Sequence, residues 1–117
     1  MAYPGDTIDY GDPVVRGNQQ SVTIASGVAT VPYPTPVVLL VGEGAANDTL
    51  TTLTVSGVTA GDIITLISDG SDTITVDDAN IDLGDTTRIV APGGNLTVRY
   101  DGTGWAEVSF LTAADNA

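Results

Sequence analysis

The sequence predicts an all-β fold, either an antiparallel β-sandwich of the jelly-roll type or a β-barrel, preceded by an extended N-terminal arm. Three observations carry this prediction. From Ser21 onward apolar and polar residues alternate with a period of two, which is the period of a half-buried strand. Thr, Val and Ile dominate these runs, and turn residues separate them about every 8–12 residues. No window shows the 3.6-residue period of a helix.

The first element is the arm, residues 1–20. It is rich in proline and glycine and has no sustained hydrophobic period, so it cannot bury a face of its own. We expect a single domain over residues 21–112 and a flexible C-terminal tail over residues 113–117. Pro32, Pro34 and Pro36 predict a bend or a sheet edge near the start of the domain, because proline donates no backbone hydrogen bond.

Nine candidate strands follow from the alternation and from the turn residues between them. No repeat at fixed spacing is evident, which disfavours a solenoid. The Thr-x-Thr pairs are too few for an ice-binding array, so we interpret them as solvent-facing strand residues. The candidate strands are residues 21–26, 36–41, 49–56, 62–68, 72–76, 80–83, 87–91, 95–100 and 105–110.

Composition excludes several classes of function. Three Arg and no Lys oppose 15 acidic residues, giving a net charge of −12, which argues against binding to nucleic acid or to anionic membranes. The chain has no His and no Cys, so disulfides, zinc–sulfur sites and the usual proton-transfer catalysts are missing. We therefore expect no enzymatic activity and no cofactor. The N-terminus lacks the basic and apolar regions of a secretory signal, which predicts a soluble product that begins at its own Met1 and is made in the cytoplasm.

A metal site is a weaker possibility in the acidic stretch from Asp69 to Asp85. Its carboxylates are ligands that calcium prefers, and Asp77, Asp82 and Asp85 are the candidates. The stretch has no EF-hand register, however, and Asp is also the ordinary residue of turns and sheet rims. We favour solvated turn acids and no metal.

Two further residue types have structural interpretations. Trp105 begins the last candidate strand, where a core anchor beneath a hairpin is the simplest role. Arg88 and Arg99 lie on neighbouring candidate strands among many acids, which predicts ion pairs across strands.

The last third of the chain carries a distinctive motif, Tyr100-Asp101-Gly102-Thr103 followed by Trp105 and Glu107-Val108-Ser109. With the preceding positions it resembles a module at the C-terminal ends of bacteriophage virion proteins, including head fibres, tail fibres and capsid decoration (cement) proteins. The resemblance covers about residues 50–110. The preceding positions are Gly61-Asp62, Asn80-Ile81-Asp82-Leu83, Gly93-Gly94 and Leu96.

The resemblance implies a compact, non-catalytic domain that forms a homotrimer and binds other virion proteins or host glycans. Tyr100, Asp101, Gly102, Trp105 and Glu107 would form its core and turn motif. A short chain with only a 20-residue arm is more similar to a decoration protein on the outer capsid surface than to a fibre with a long shaft. The partner would then be the major capsid protein. The arm residues expected to contact it are Tyr3, Ile8, Tyr10, Val14 and Arg16.

The alternative is a fibre tip or another module that recognises a host glycan. Trp105 and Tyr100 would then be platforms on which a sugar ring stacks, beside Asp101 or Asp82. A β-sandwich interaction domain unrelated to phages is a third interpretation.

Overall fold

The computed structural model of the chain describes residues 19–44, 47–112 and 114. This part is all-β, as predicted, with no helix and therefore no helix that could cross a membrane. Numbered in chain order, its eleven strands are β1 Gln19–Thr23, β2 Val28–Val31, β3 Val37–Val41, β4 Asn47–Leu50, β5 Thr52–Val55, β6 Ile63–Ser68, β7 Thr73–Asp77, β8 Ile81–Asp82, β9 Thr87–Val90, β10 Asn95–Tyr100 and β11 Trp105–Leu111.

The strands form three sheets, and successive passes of the chain stack on one another through parallel ladders, so the architecture is a short β-solenoid. The largest sheet has the order β1-β3-β6-β10-β11-β8, the second β9-β7-β4, and the third β2-β5. One coil contains β1 and β2, the next β3, β4 and β5, and the next β6, β7 and β8. The chain then reverses, because β9 runs antiparallel to β7 and β10 runs antiparallel to β6.

This arrangement corrects the predicted antiparallel sandwich, jelly roll or barrel. Five of the eight ladders in the described part of the chain are parallel, and these include β1 with β3 and β3 with β6. The coils differ in length, which hides the repeat from the sequence. Gln19 pairs with Val37, 18 residues later, whereas Val37 pairs with Thr65, 28 residues later. No fixed period can appear when successive coils differ by ten residues.

The predicted strands also need three corrections. The strand β2 was not predicted, because its four residues lie directly before the proline cluster that indicated a bend. The candidate strand 49–56 is two strands, β4 and β5, separated at Thr51. The first strand begins at Gln19, two residues before the predicted domain boundary. The predicted arm up to residue 18, and residues 113 and 115–117 of the predicted tail, lie outside the described residues.

The core is a single column of aliphatic side chains between the three sheets. Alternate residues of each strand point inward, so Val38 and Leu40 of β3 and Leu66 of β6 are fully buried. Ile74 of β7 and Leu96 of β10 complete the same layer with no exposed surface. Burial of each such side chain contributes about 1.5–3 kcal/mol, which makes this column the main source of stability.

The corner between β1 and β2 depends on a glycine. Ser26 and Gly27 both have positive φ angles, of 52° and 81°, as the two central residues of a type I′ turn require. The Gly27 carbonyl accepts hydrogen bonds from the backbone N–H groups of Thr51 and Thr52, at 2.8 and 3.1 Å, and thereby joins the first coil to the second. A Cβ atom at Gly27 would lie 2.9 Å from the Thr51 hydroxyl oxygen.

The corners of the second and third coils are joined by a buried carboxylate. Asp72 is only 8% exposed, and its Oδ2 accepts a hydrogen bond of 2.7 Å from the buried backbone N–H of Gly42. Its Oδ1 accepts a second bond, of 3.3 Å, from the Ser71 hydroxyl. Because a buried N–H without an acceptor is costly, this carboxylate fixes the position of one coil above the other.

We expect Gly27→Ala to lower the free energy of unfolding by about 2–4 kcal/mol, because it combines left-handed backbone strain with a steric clash. Gly70→Ala is the matched control, since Gly70 also has a positive φ, of 100°, but a Cβ there meets nothing within 4 Å. Gly70→Ala should lower the free energy of unfolding by about 1–2 kcal/mol, because it introduces the backbone strain without the clash. Urea unfolding of both variants measures the difference, and equal losses would show that the contact with Thr51 is unimportant.

Candidate functional site

The motif around Asp101 is a tight turn that joins β10 to β11. Oδ1 of Asp101 accepts hydrogen bonds from the backbone N–H groups of Thr103 and Gly104, at 2.8 and 2.9 Å, and from the Thr103 hydroxyl at 2.9 Å. These donors, the Thr103 N–H first among them, lower the pKa of Asp101 because they stabilise its charged form. Gly102 supplies the positive φ, of 106°, that the turn needs. The spacing of the motif is thus explained by turn geometry.

Trp105 anchors this hairpin to the core. It is 4% exposed, pairs with Ile81 of β8, and lies against Tyr100 with 5.2 Å between the ring centroids and an angle of 55° between the planes. A sugar ring cannot stack on an indole so deeply buried, so the glycan interpretation loses one of its two platforms. Tyr100 is half-buried and keeps part of its ring accessible.

A groove of about 270 Å³ opens where Tyr100 and Trp105 face β5. It exists because β5 pairs with β2 on one side only, whereas β8 of the third coil pairs with β11 in the largest sheet and so forms no ladder with the other side of β5. Its lining combines an apolar base with threonine hydroxyls and the Asn80 side-chain amide, which donates a 2.7 Å hydrogen bond to the Thr52 hydroxyl. Such a lining can hold a small neutral polar ligand through hydrogen bonds.

The sequence did not indicate this groove. In the sequence, Asn80 is one of the positions that carry the resemblance to virion modules, and Thr52 belongs to a Thr-x-Thr pair. Neither pattern indicates a shared site. The two residues are 28 positions apart, and they meet because β5 and β8 occupy successive coils. Their proximity could be predicted only by someone who had first identified the stacked coils.

Arg88 and Glu107 form an ion pair at the end of the core. Glu107 Oε1 lies 2.9 Å from Arg88 Nε, and Oε2 lies 3.0 Å from Arg88 Nη2. Oε1 also accepts a 3.0 Å hydrogen bond from the Gly84 N–H, and the guanidinium lies 5.0 Å from the centroid of Phe110. The pair links β9 of the second sheet to β11 of the largest sheet, so it joins two sheets and not two neighbouring strands.

The Glu107 side chain is 13% exposed, and the hydrogen bonds from Arg88 lower its pKa more than burial raises it. For Arg99, by contrast, the described residues provide no carboxylate within salt-bridge distance.

The acidic candidates for a metal site are not brought together. Asp77 lies opposite Thr87 on the outside of the second sheet, and Asp82 lies opposite Ala106 in the largest sheet. Asp85 accepts a hydrogen bond from the N–H of the next residue. Within residues 19–44 and 47–112, no three acidic side chains are close enough to hold a metal ion. The arm residues Tyr3, Ile8, Tyr10, Val14 and Arg16 lie outside the described residues.

We expect Glu107→Gln to destabilise the protein by about 1–3 kcal/mol at neutral pH, because it removes a charge-assisted pair. A carboxyl group with a lowered pKa in the folded state stabilises the fold above its unfolded pKa of about 4.3, and this contribution is lost as the pH falls through the lower folded value. The difference in melting temperature between the wild type and the variant should therefore narrow below about pH 4.3. A difference that is constant from pH 7 to pH 2 would contradict this account.

The chain matches no family model, and it has no match among curated proteins. The resemblance of residues 50–110 to phage virion modules therefore stays a prediction from the sequence.

Proposed function

We propose that this protein is a structural component of a bacteriophage virion that binds the outer surface of the capsid as a trimer and bridges capsid subunits, without catalysis. The position of β1 is the observation that favours a role for the arm. Among the described strands, β1 has one neighbour, β3, and forms an outer edge of the largest sheet. Residues 1–18 immediately precede it, so the predicted arm is joined to the solenoid at a sheet edge.

The capsid contact would be formed by the arm. Tyr3, Ile8 and Tyr10 are apolar anchors at intervals of five and two residues in a stretch with no face of its own to bury. An extended segment of this type binds by adding a strand to an exposed sheet edge, where backbone hydrogen bonds give affinity and the spaced side chains give specificity. Val14 and Arg16 would continue the contact toward β1.

Trimerisation would multiply the effect of each arm. Three arms linked through one trimer bind three capsid subunits with an avidity that exceeds single-arm affinity by about 10²–10⁴-fold. Bridging of subunits in this way would strengthen a head under internal pressure from packaged DNA. The net charge of −12 would keep decorated heads from associating with one another.

A short solenoid meets the mechanical need of this role as well as a jelly roll would. The three sheets share one core, and the coils are joined at their corners through Gly27 and Asp72. The proposal therefore rests on a rigid body joined to an arm, and it does not depend on the sandwich topology that the resemblance implied.

We expect deletion of residues 1–12 to reduce capsid binding at least about a hundredfold, because the three-arm avidity is lost while the strands are untouched. Deletion of residues 113–117 is the control and should bind like the full chain. The measurement is co-sedimentation with mature heads that lack the protein, followed by electron microscopy. Saturable density on the capsid surface is the expected result, and an arm-deleted protein that still decorates heads would contradict the arm mechanism.

The groove beside Tyr100 supports one alternative, recognition of a host glycan. Its threonine hydroxyls and the Asn80 amide suit the hydroxyl groups of a sugar, and Tyr100 is the accessible aromatic surface. A glycan array separates the two functions, because a decoration protein has no saccharide preference. Loss of an observed saccharide signal in Asn80→Ala would assign the binding to the groove.

A further inference from the structure

The largest sheet has an unusual outer surface. Strands β1, β3, β6, β10 and β11 bury alternate residues in the core, and their remaining side chains point away from it. We refer to this side of the five strands as the outer face. Its apolar members include Val37, Leu39, Val41, Ile63, Ile67 and Leu111.

The sequence of β3 carries the first argument. It reads Val-Val-Leu-Leu-Val, so it is apolar on both sides, and β6 has Ile63 and Ile67 on its outer side. Continuous apolar runs are typical of strands that are covered on both faces, whereas a sheet with one face in water alternates apolar and polar residues. Nothing in the described part of the chain covers the outer face. Ile63 is 53% exposed and Leu111 is 39% exposed, whereas Val37, Leu39, Val41 and Ile67 are half-buried.

The distribution of charge carries the second argument. The chain has 15 acidic residues, yet the five strands place none of them on the outer face, whose single charged residue is Arg99. The acid Asp82 of β8 lies at the edge of this face, opposite Ala106. The nearby acids lie in the turns at the strand ends, for example Asp62, Asp69 and Asp101. The face therefore combines apolar side chains with Thr65 and Thr97, whose hydroxyls hydrogen-bond to each other at 3.1 Å, and it has a charged rim. A mixed surface of this kind with charges at its rim is typical of protein interfaces.

We propose that the outer face is the surface through which copies of this chain associate. Two copies that each carry a charge of −12 repel one another wherever acidic turns meet, and the outer face is where they can approach without that cost. A basic partner would instead be attracted to the acidic turns. Arg99 can pair with the acidic rim of a neighbouring copy. The outer face would be the surface that holds the trimer of the proposed function together. The choice of a trimer therefore rests on the proposed function.

The size of the face predicts a weak association. Five strands about 4.8 Å apart and about five residues long cover roughly 24 by 16 Å, or about 400 Å². The apolar part is smaller than this, because Ser21, Thr65, Thr97 and Ser109 also lie on the outer face. Three such faces turned toward a common axis bury together about 1,200 Å², or about 400 Å² for each pair of copies, which is well below the roughly 1,200 Å² of a stable two-partner interface. We therefore expect a trimer that dissociates on dilution.

Two isoleucines of equal exposure allow a matched test. Ile63 lies on the outer face and Ile89 lies on the outside of the second sheet, and each is 53% exposed. Sedimentation equilibrium over a concentration series should give the full chain a mass of three times 11.9 kDa at high concentration. Ile63→Asp should weaken association at least about tenfold, whereas Ile89→Asp should behave like the wild type.

Circular dichroism establishes that both variants are folded, and Leu111→Asp replaces Ile63→Asp if the latter is not. A wild type that stays monomeric at millimolar concentration would overturn the inference, as would an equal effect of Ile63→Asp and Ile89→Asp. Co-sedimentation with heads keeps the two proposals apart. A trimer that Ile63→Asp disrupts, but that does not bind heads, would support the surface and contradict the decoration role. If the protein binds heads but Ile63→Asp does not weaken its self-association, the decoration role is supported and the association surface is contradicted.

Discussion

The position of β3 between two parallel neighbours is the interaction on which the rest of the structure depends. It hydrogen-bonds to β1 on one side and to β6 on the other, while Val38 and Leu40 are completely buried in the core. Parallel neighbours require the chain to complete a full coil before it returns, so each coil needs corners. The corner groups are then satisfied between coils, as the Gly27 carbonyl and the Asp72 carboxylate show. The solenoid follows from this pairing.

A solenoid must also end, because its last coil leaves strand edges and core side chains exposed. Here the chain reverses direction, and β9 and β10 cover β7 and β6 with antiparallel strands. The hairpin of β10 and β11 is held by the Asp101 turn and by Trp105 in the core. Arg88 and Glu107 close the remaining gap between two sheets. The motif from Tyr100 to Ser109 therefore lies in the strands that follow the reversal and cover the last coil of the solenoid.

Much of this could be predicted from alternation alone. The all-β class and the approximate positions of most strands follow from the period of two and from the turn residues. Strand direction could not be predicted, because a single strand has the same alternation in a parallel and in an antiparallel ladder. Coils of 18 and 28 residues removed a second signal, a repeat at fixed spacing. The groove was missed for the same reason, since Thr52 and Asn80 come together only when coils are stacked.

One feature of the sequence did indicate that a strand has parallel neighbours. The run from Val37 to Val41 has no polar residue, which is unexpected for a strand of an antiparallel sheet with one side in water. Two physical facts account for it: β3 is central and parallel in its sheet, and its outer side belongs to a face without acids. In a chain of charge −12, selection for solubility alone would place acids on such a face as readily as on the turns. Other strands of the chain do carry acids, as Asp48, Asp77 and Asp82 show. The lack of acids on the outer side of β3 and its neighbours agrees with the association surface proposed above, in which case the five residues of β3 would serve both fold and association.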